Sequence, residues 1–387
     1  MTILTCRGLD GANPLHVLAA LGLLRLADRA EPGARLGFAL VNTAWRPVLE
    51  VGMEREALLT EIAAWLVVLA RKGSEDPSLQ KRVRELGCLA KKKVEAVKSA
   101  AKEAKAEAKR LKHSKVETRG YIQQATAVLD LELAEVALDL GAARKALSLA
   151  NGLGIAHLGE IIGVNPEIFR QFGEAALEAL LSGSLSDDPT TADPILVTGH
   201  LPALACDQVV DGDKVKPTPY SFGNGASGQC LLKSFLACAG QVTLERLAAT
   251  LDGGEVRLVE GRGLTLNWDP EDLRSYALAW DNPESVAKSV DVGANALAYV
   301  GLGLLPAVPG PKGLDAVGWG PEDGWTWPVW EPRLPMPVVA SLLADRALQA
   351  ARPDVGSLER RGVCEVRRSA RVNPTGKRSY FASSRPC

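Results

Sequence analysis

The sequence predicts an α+β protein: a mixed α/β body carrying an inserted long antiparallel helical hairpin. Three observations predict it. A chain of 387 residues, nearly half of them apolar, can bury a sizeable core and has room for two or three folding units. Strand-like segments and apolar helical ones are mixed in both the opening and the closing part. Between them lies Ala/Lys/Glu material too polar to be a core element.

Residues 1–70 read as an N-terminal α/β part. Asp10-Gly-Ala-Asn13-Pro14 is a turn followed by a helix start, with Asn13 as cap and Pro14 at the first helical position. Leu15 to Ala27 is apolar almost all round, so this helix belongs inside. Leu36 to Val41 reads as a strand. Trp45 to Leu49 reads as an edge strand or a turn, because Pro47 cannot donate to a ladder. Glu54 to Ala70 is a helix.

Residues 71–150 read as the basic helical hairpin. Lys91 to Lys115 is Ala, Lys and Glu almost throughout, with Val94 and Val97 as its main apolar positions. Tyr121 to Leu149 has a broad apolar face. The simplest geometry packs the basic arm on the apolar one, lysines outward. Residues 151–215 form a helical connector, with a helix from Pro166 to Leu181 and a Ser/Asp/Pro/Thr loop from Ser182 to Pro194.

Residues 216–387 read as a C-terminal α/β part with a basic terminal hairpin. Strands are expected at Glu255–Val259 and Leu264–Trp268, with a helix from Leu273 to Ala279. Pro306 to Trp330, rich in Pro, Gly and Trp, reads as an ordered loop packed by its own aromatics. A helix covers Pro337 to Ala351. Two basic strands, Gly362–Arg368 and Tyr380–Ala382, flank an Asn373-Pro-Thr-Gly376 turn.

The net charge of −1 conceals segregation. Arg71 to Arg119 holds 16 Lys/Arg against 7 Asp/Glu, a local +9, and Arg360 to Cys387 holds 8 against Glu365 alone, a local +7. The remainder of the chain therefore carries −17. Such segregation suits a polyanion site on an otherwise acidic protein; the alternative is a solvated helix and a frayed tail. Met1 to Arg7 lacks the pattern of a secretory signal, and the apolar run from Leu15 to Leu26 is too short to span a bilayer. The seven Cys form no CxxC pair and the four His lie far apart, so no metal site or cofactor is expected, and the cytoplasm is the expected location.

Pro219-Tyr-Ser-Phe-Gly223-Asn-Gly225-Ala-Ser-Gly228-Gln-Cys230 runs into an apolar helix, Leu231 to Ala239. Glycines before a helix N-terminus can cradle a phosphate, with Asn224, Ser227 and Gln229 as polar contacts; a tight turn before an ordinary helix is the alternative. It is neither a Walker A loop nor a dinucleotide fingerprint. Asn267-Trp-Asp-Pro and Trp280-Asp-Asn-Pro are spaced too closely for propeller blades and read as structural turns. In the tail, Arg367, Arg368, Arg371, Lys377 and Arg378 interleave with Tyr380 and Phe381, a pattern that suits backbone contact and base stacking. A surface hairpin is the alternative there. No nucleophile–base–orienter set is apparent, and Asp10 and Arg46 read equally well as structural.

Gly8-Leu-Asp10-Gly-Ala-Asn13-Pro14-Leu-His-Val-Leu-Ala-Ala-Leu-Gly22-Leu-Leu-Arg25 resembles the opening of proteins encoded in type I-G (formerly I-U) CRISPR loci. The Ser221–Gln229 loop, Gly293-Ala-Asn295-Ala-Leu-Ala298 with Pro306 after it, and Arg367-Arg-Ser-Ala-Arg371 to Phe381 look similar in the same order. The likeness consists of short motifs spread over most of the chain outside 71–150. It implies a non-catalytic large-subunit role in a Cascade complex, the RNA-guided surveillance assembly. The implied partners are guide RNA, target DNA, the backbone and guide-end Cascade subunits, and the helicase-nuclease; no membrane is implied. The glycine loop would help read the motif flanking the target. The hairpin would steady the displaced strand through Lys91, Lys92, Lys93, Lys98, Lys102, Lys105 and Lys109. Two other readings compete: an enzyme holding a phosphate-bearing substrate at residues 223–229, and a helical scaffold that binds a protein.

Overall fold

The computed structural model describes residues 1–70, 76–150, 153, 165–182, 193–222, 229–253, 259–261, 265–271, 288–311, 313–320, 322–350, 353–373 and 379–387. They form an α+β protein. The strand expected at 255–259 (save Val259), the helix at 273–279 and the turn after Asn373 lie outside these residues.

The chain opens with strand β1 (Thr2–Thr5), helix α1 (Pro14–Ala30), the hairpin β2 (Arg35–Val41) and β3 (Ala44–Val51), and helix α2 (Arg55–Ala70). Asn13 caps α1 by accepting from Leu15 N at 2.9 Å. The β2–β3 turn holds Asn42 and Thr43 at φ 50° and 67°, the two left-handed residues that a type I′ hairpin demands. β3 is not an edge strand: β1 pairs it on one side and β2 on the other. Pro47 is tolerated because β1 stops at Thr5, opposite Val48. On that side only Cys6 N reaches the Pro47 carbonyl, at 2.8 Å, so the missing donor faces the place where the neighbouring strand has ended.

Two long helices follow, α3 (Pro77–Arg110) and α4 (Lys115–Ala150), then α5 (Pro166–Leu181) and α6 (Pro194–Leu204). The hairpin β4 (Ala205–Asp211) and β5 (Lys214–Pro217) leads to α7 (Gln229–Ala239) and α8 (Leu244–Asp252). Next come β6 (Val259–Gly261), β7 (Lys288–Val290) and α9 (Val292–Gly301). Residues 265–268 form no strand, contrary to expectation; Asn267 sits at φ 61°, which breaks any extended run, and Trp268 is buried.

β8 (Ala307–Gly310), β9 (Gly313–Ala316), β10 (Trp319–Gly320) and β11 (Gly324–Trp330) replace the expected aromatic loop. The aromatics do pack together, Trp325 and Trp327 with ring centroids 4.6 Å apart, but on the face of a strand. β12 (Leu334–Pro335), α10 (Met336–Leu343) and α11 (Val355–Glu359) precede β13 (Val363–Val372), β14 (Tyr380–Phe381) and β15 (Arg385–Pro386). The first sheet has the order β1-β3-β2-β12. The second runs β10-β11-β13-β14, with β15 also on β13. Pairings in both are antiparallel.

The core is centred on α1 crossing α9. Every residue of α9 is buried, and α1 is buried from Pro14 to Ala27 save His16. The crossing depends on two glycines. A Cβ on Gly22 would lie 1.9 Å from the Leu297 carbonyl oxygen, and one on Gly301 would lie 2.0 Å from that of Leu18. Arg25, fully inside, has no carboxylate partner among the described residues. Its Nη1 donates to Val300 O at 2.7 Å and its Nη2 to Leu196 O at 3.3 Å. Burial pushes its pKa down to about 10.

Candidate nucleic-acid interface

The residues around α3 and α4 dictate both helices and the reversal between them. Asp76 accepts from Ser78 N at 2.8 Å and from Leu79 N, and Pro77 takes the first helical position. The Ser78 hydroxyl and these amides hold the Asp76 carboxyl below its usual range. α3 ends in a Schellman turn. Lys112 adopts φ 56°, while His113 N donates to Ala108 O at 3.0 Å and Lys112 N to Lys109 O at 3.2 Å. α4 then starts with a capping box, Ser114-Lys-Val-Glu117. Ser114 N donates to the Glu117 carboxylate at 2.7 Å and Glu117 N to Ser114 Oγ at 3.3 Å. Ser114, hydroxyl first and amide second, keeps the Glu117 carboxyl low.

The two helices pack along each other in opposite directions. Ala104 and Ala108 of α3 and Thr126, Val136, Leu140 and Ala143 of α4 are buried. Lys93, midway along α3, pairs with Glu132 of α4. The far end of α4 rests on α5, where Lys145 meets Glu174 at 2.7 Å.

Arg84, Lys91, Lys98, Lys102, Lys105 and Lys109 recur at steps of seven, seven, four, three and four, so they share one face of α3, and all six are exposed. At 1.5 Å per residue this face extends about 37 Å, roughly one turn of duplex. One carboxylate interrupts it: Glu95, 3.2 Å from Lys98 Nζ. Among the described residues no carboxylate comes within ion-pair distance of Lys91, Lys92, Lys102, Lys105 or Lys109. Lys92 is exposed just beside the stripe. Lys93 stands apart, half-buried against Glu132. Arg84 extends the row toward the start of the helix; its seven-residue step from Lys91 was the signal that sequence reasoning passed over.

The terminal arginines are used differently. β13 lies inside the second sheet, and its guanidiniums are occupied by protein groups. Arg367 pairs with Glu365 and donates to Ser384 Oγ at 2.9 Å. Arg368 donates to Thr326 Oγ1 at 3.0 Å, Glu322 at 3.0 Å and Ala350 O at 2.8 Å. Arg371 forks onto Asp323 at 2.7 and 3.0 Å and lies 5.3 Å over the Trp319 ring. The sequence suggests an open basic tail; in the structure these three guanidiniums donate to protein groups within the sheet. Lys377 and Arg378 lie outside the described residues.

Asn224 and Ser227 of the glycine loop also lie outside the described residues. Gln229 opens α7, and its side chain is outside them too. The stem before the loop is fixed. Phe222 stacks edge-on against Phe381 at 4.6 Å, Tyr220 OH donates to Val317 O at 2.8 Å, and Arg371 Nη1 donates to Pro219 O at 3.3 Å. The loop stem and the terminal strand, distant in sequence, thus meet.

Asp10 caps its own turn through Ala12 N at 2.8 Å, and Arg46 donates to Leu9 O at 2.8 Å. Among the described residues no three His, Cys, Asp or Glu side chains come together as metal ligands. A groove of about 360 Å³ between α5 and α6 is lined by Phe169, Leu177, Leu201 and Ala307. Two of the charges at its rim are committed, Arg170 to Glu167 and Glu174 to Lys145. No described helix is long and apolar enough to cross a membrane. The chain matches no protein-family model, no curated protein and no solved structure.

Proposed function

We propose that this protein is a non-catalytic nucleic-acid-binding subunit of a CRISPR RNA-guided surveillance complex, and that it grips a phosphate backbone along the exposed cationic face of α3. The observation that carries the reading is the six-residue stripe from Arg84 to Lys109, held on a rigid helix and mostly free of carboxylate partners. Cations at helical spacing neutralise successive phosphates without reading bases, which is what steadying a displaced strand requires. The assignment to this class of complex rests on the motif resemblance. Those motifs meet in two pairs: Gly22 of the opening helix crosses α9, and the glycine-loop stem packs on Phe381. Guide RNA, target DNA, the other Cascade subunits and the helicase-nuclease are the partners of this reading. Flanking-motif recognition is assigned to Asn224, Ser227 and Gln229.

Charge reversal tests it. Lys91→Glu, Lys102→Glu and Lys105→Glu together lower affinity for single-stranded DNA of mixed sequence by more than about tenfold near 0.1 M salt, whichever sequence is used. Lys93→Gln, at a paired position, changes it little. Equal affinity of the triple variant and the parent sinks the assignment to α3.

A further inference from the structure

α4 carries a second apolar face that none of the described residues covers. Its inward face holds Thr126, Val136, Leu140 and Ala143. On the other side, Val128, Leu131 and Leu138 are 67%, 68% and 76% exposed. Tyr121 and Ala142, also exposed, continue the same row. The positions 121, 128, 131, 138 and 142 step by seven, three, seven and four, the spacing of a helix–helix seam. Ala127 and Ala134 border it on one edge, small enough for another backbone to come close. The other edge is acidic. Glu135 lies within the row and Asp139 beside it, both exposed and without a cation in ion-pair range among the described residues. Solvated helices rarely present three large aliphatics in register on a face turned away from the core, and such a patch marks an interaction surface.

We infer that the outer face of α4 docks a partner protein through an amphipathic helix whose apolar seam is bordered by Lys or Arg. Charge selects this occupant. A second copy joined in parallel along the same row would set Glu135 against Glu135 and Asp139 against Asp139, while an antiparallel copy would face Glu135 with Val128 and supply neither carboxylate with a cation. Nucleic acid is repelled by the same carboxylates. A partner helix with basic flanks satisfies both the leucines and the acids. The hairpin then has two working sides, cationic on α3 and apolar-acidic on α4, and the inference holds whether or not α3 binds nucleic acid.

The test uses the full chain and two labelled synthetic helices of four heptads, with Leu in the seam and either Lys or Glu at the flanks. Fluorescence anisotropy is expected to show binding of the Lys-flanked peptide, with the Glu-flanked one weaker by about tenfold or more. The double change Leu131→Ser and Leu138→Ser abolishes binding while leaving the helical circular dichroism and the nucleic-acid affinity intact. Glu135→Lys with Asp139→Lys removes the preference between peptides. Equal binding of the two peptides, or unchanged binding by the serine variant, overturns the inference. So does a parent chain that sediments as a dimer and becomes monomeric on the serine changes, since a second copy is then the occupant.

Discussion

Thr43 and His200 each carry a consequence that can be measured. Thr43, β-branched, is held at φ 67° in the β2–β3 turn, where the left-handed conformation costs a side-chain-bearing residue roughly 1 kcal/mol or more. Thr43→Gly completes an Asn-Gly type I′ turn, and chemical denaturation is expected to show a gain of about 1 kcal/mol. A loss would mean that the turn is of another type. The sequence held the clue, since an Asn-led pair joins two strand-like runs, but Thr in place of Gly hid it.

His200 is buried beside Arg25, 3.4 Å away, and its Nε2 has no hydrogen-bond partner among the described residues. Desolvation first, and the guanidinium second, push its pKa well below 6.5. The folded state therefore binds less proton than the unfolded chain as pH falls below about 6.5, and stability declines from there toward acid. His200→Asn should remove about 1.4 kcal/mol in total of the stability lost between pH 7.5 and 5.5 in denaturation curves, the slope rising toward one proton only at the acid end of that range. An unchanged slope would show that His200 is charged in the fold. No sequence pattern pairs His200 with Arg25, 175 positions away; the α1–α9 crossing and α6 bring them together.

At the scale of elements, the sequence was most readable where capping and periodicity agree. α1 begins at Asn13-Pro14, and α5 spans Pro166–Leu181 as its pattern requires. Strand positions were harder to read where proline intervened. Pro47 and Pro328 both sit within paired strands, each next to a shorter neighbour that does not reach it, β1 stopping at Thr5 and β10 beginning only at Trp319. Proline signals a missing donor, and only topology says whether any partner was waiting for it. The Ser114–Glu117 capping box marks the true start of α4, six residues before the first aromatic of its apolar pattern.

The α1–α9 crossing makes the sharpest element-scale prediction. Gly22→Ala places a methyl group 1.9 Å from the Leu297 carbonyl oxygen, against backbone that cannot rotate away. The helices must part, at a cost of about 3 kcal/mol, read as a lower midpoint in urea or as loss of soluble protein. A neutral Gly22→Ala would mean that the helices are not in backbone contact.

For the whole molecule, charge segregation in the sequence pointed to two cationic regions, and folding separates them. On α3 the lysines stand on a solvated flank because Ala and Val fill the inward face. On β13 the arginines meet Glu322, Asp323 and Glu365, carboxylates that composition counts elsewhere in the chain. A local excess of cations is therefore open only where the fold brings no anion to it. The apolar stripe on the outside of α4 was legible as apolarity but not as exposure. A helix with two apolar faces reads in sequence as one broad one.

The salt dependence of binding tests the central claim most directly. With the α3 stripe as the contact, the logarithm of affinity for single-stranded DNA falls against the logarithm of salt concentration with a slope near −4, for about six phosphates neutralised. Replacing Lys98, Lys102, Lys105 and Lys109 by Gln reduces that slope by about 3 units. A slope that the four replacements leave unchanged would place the phosphate contacts elsewhere and contradict the account.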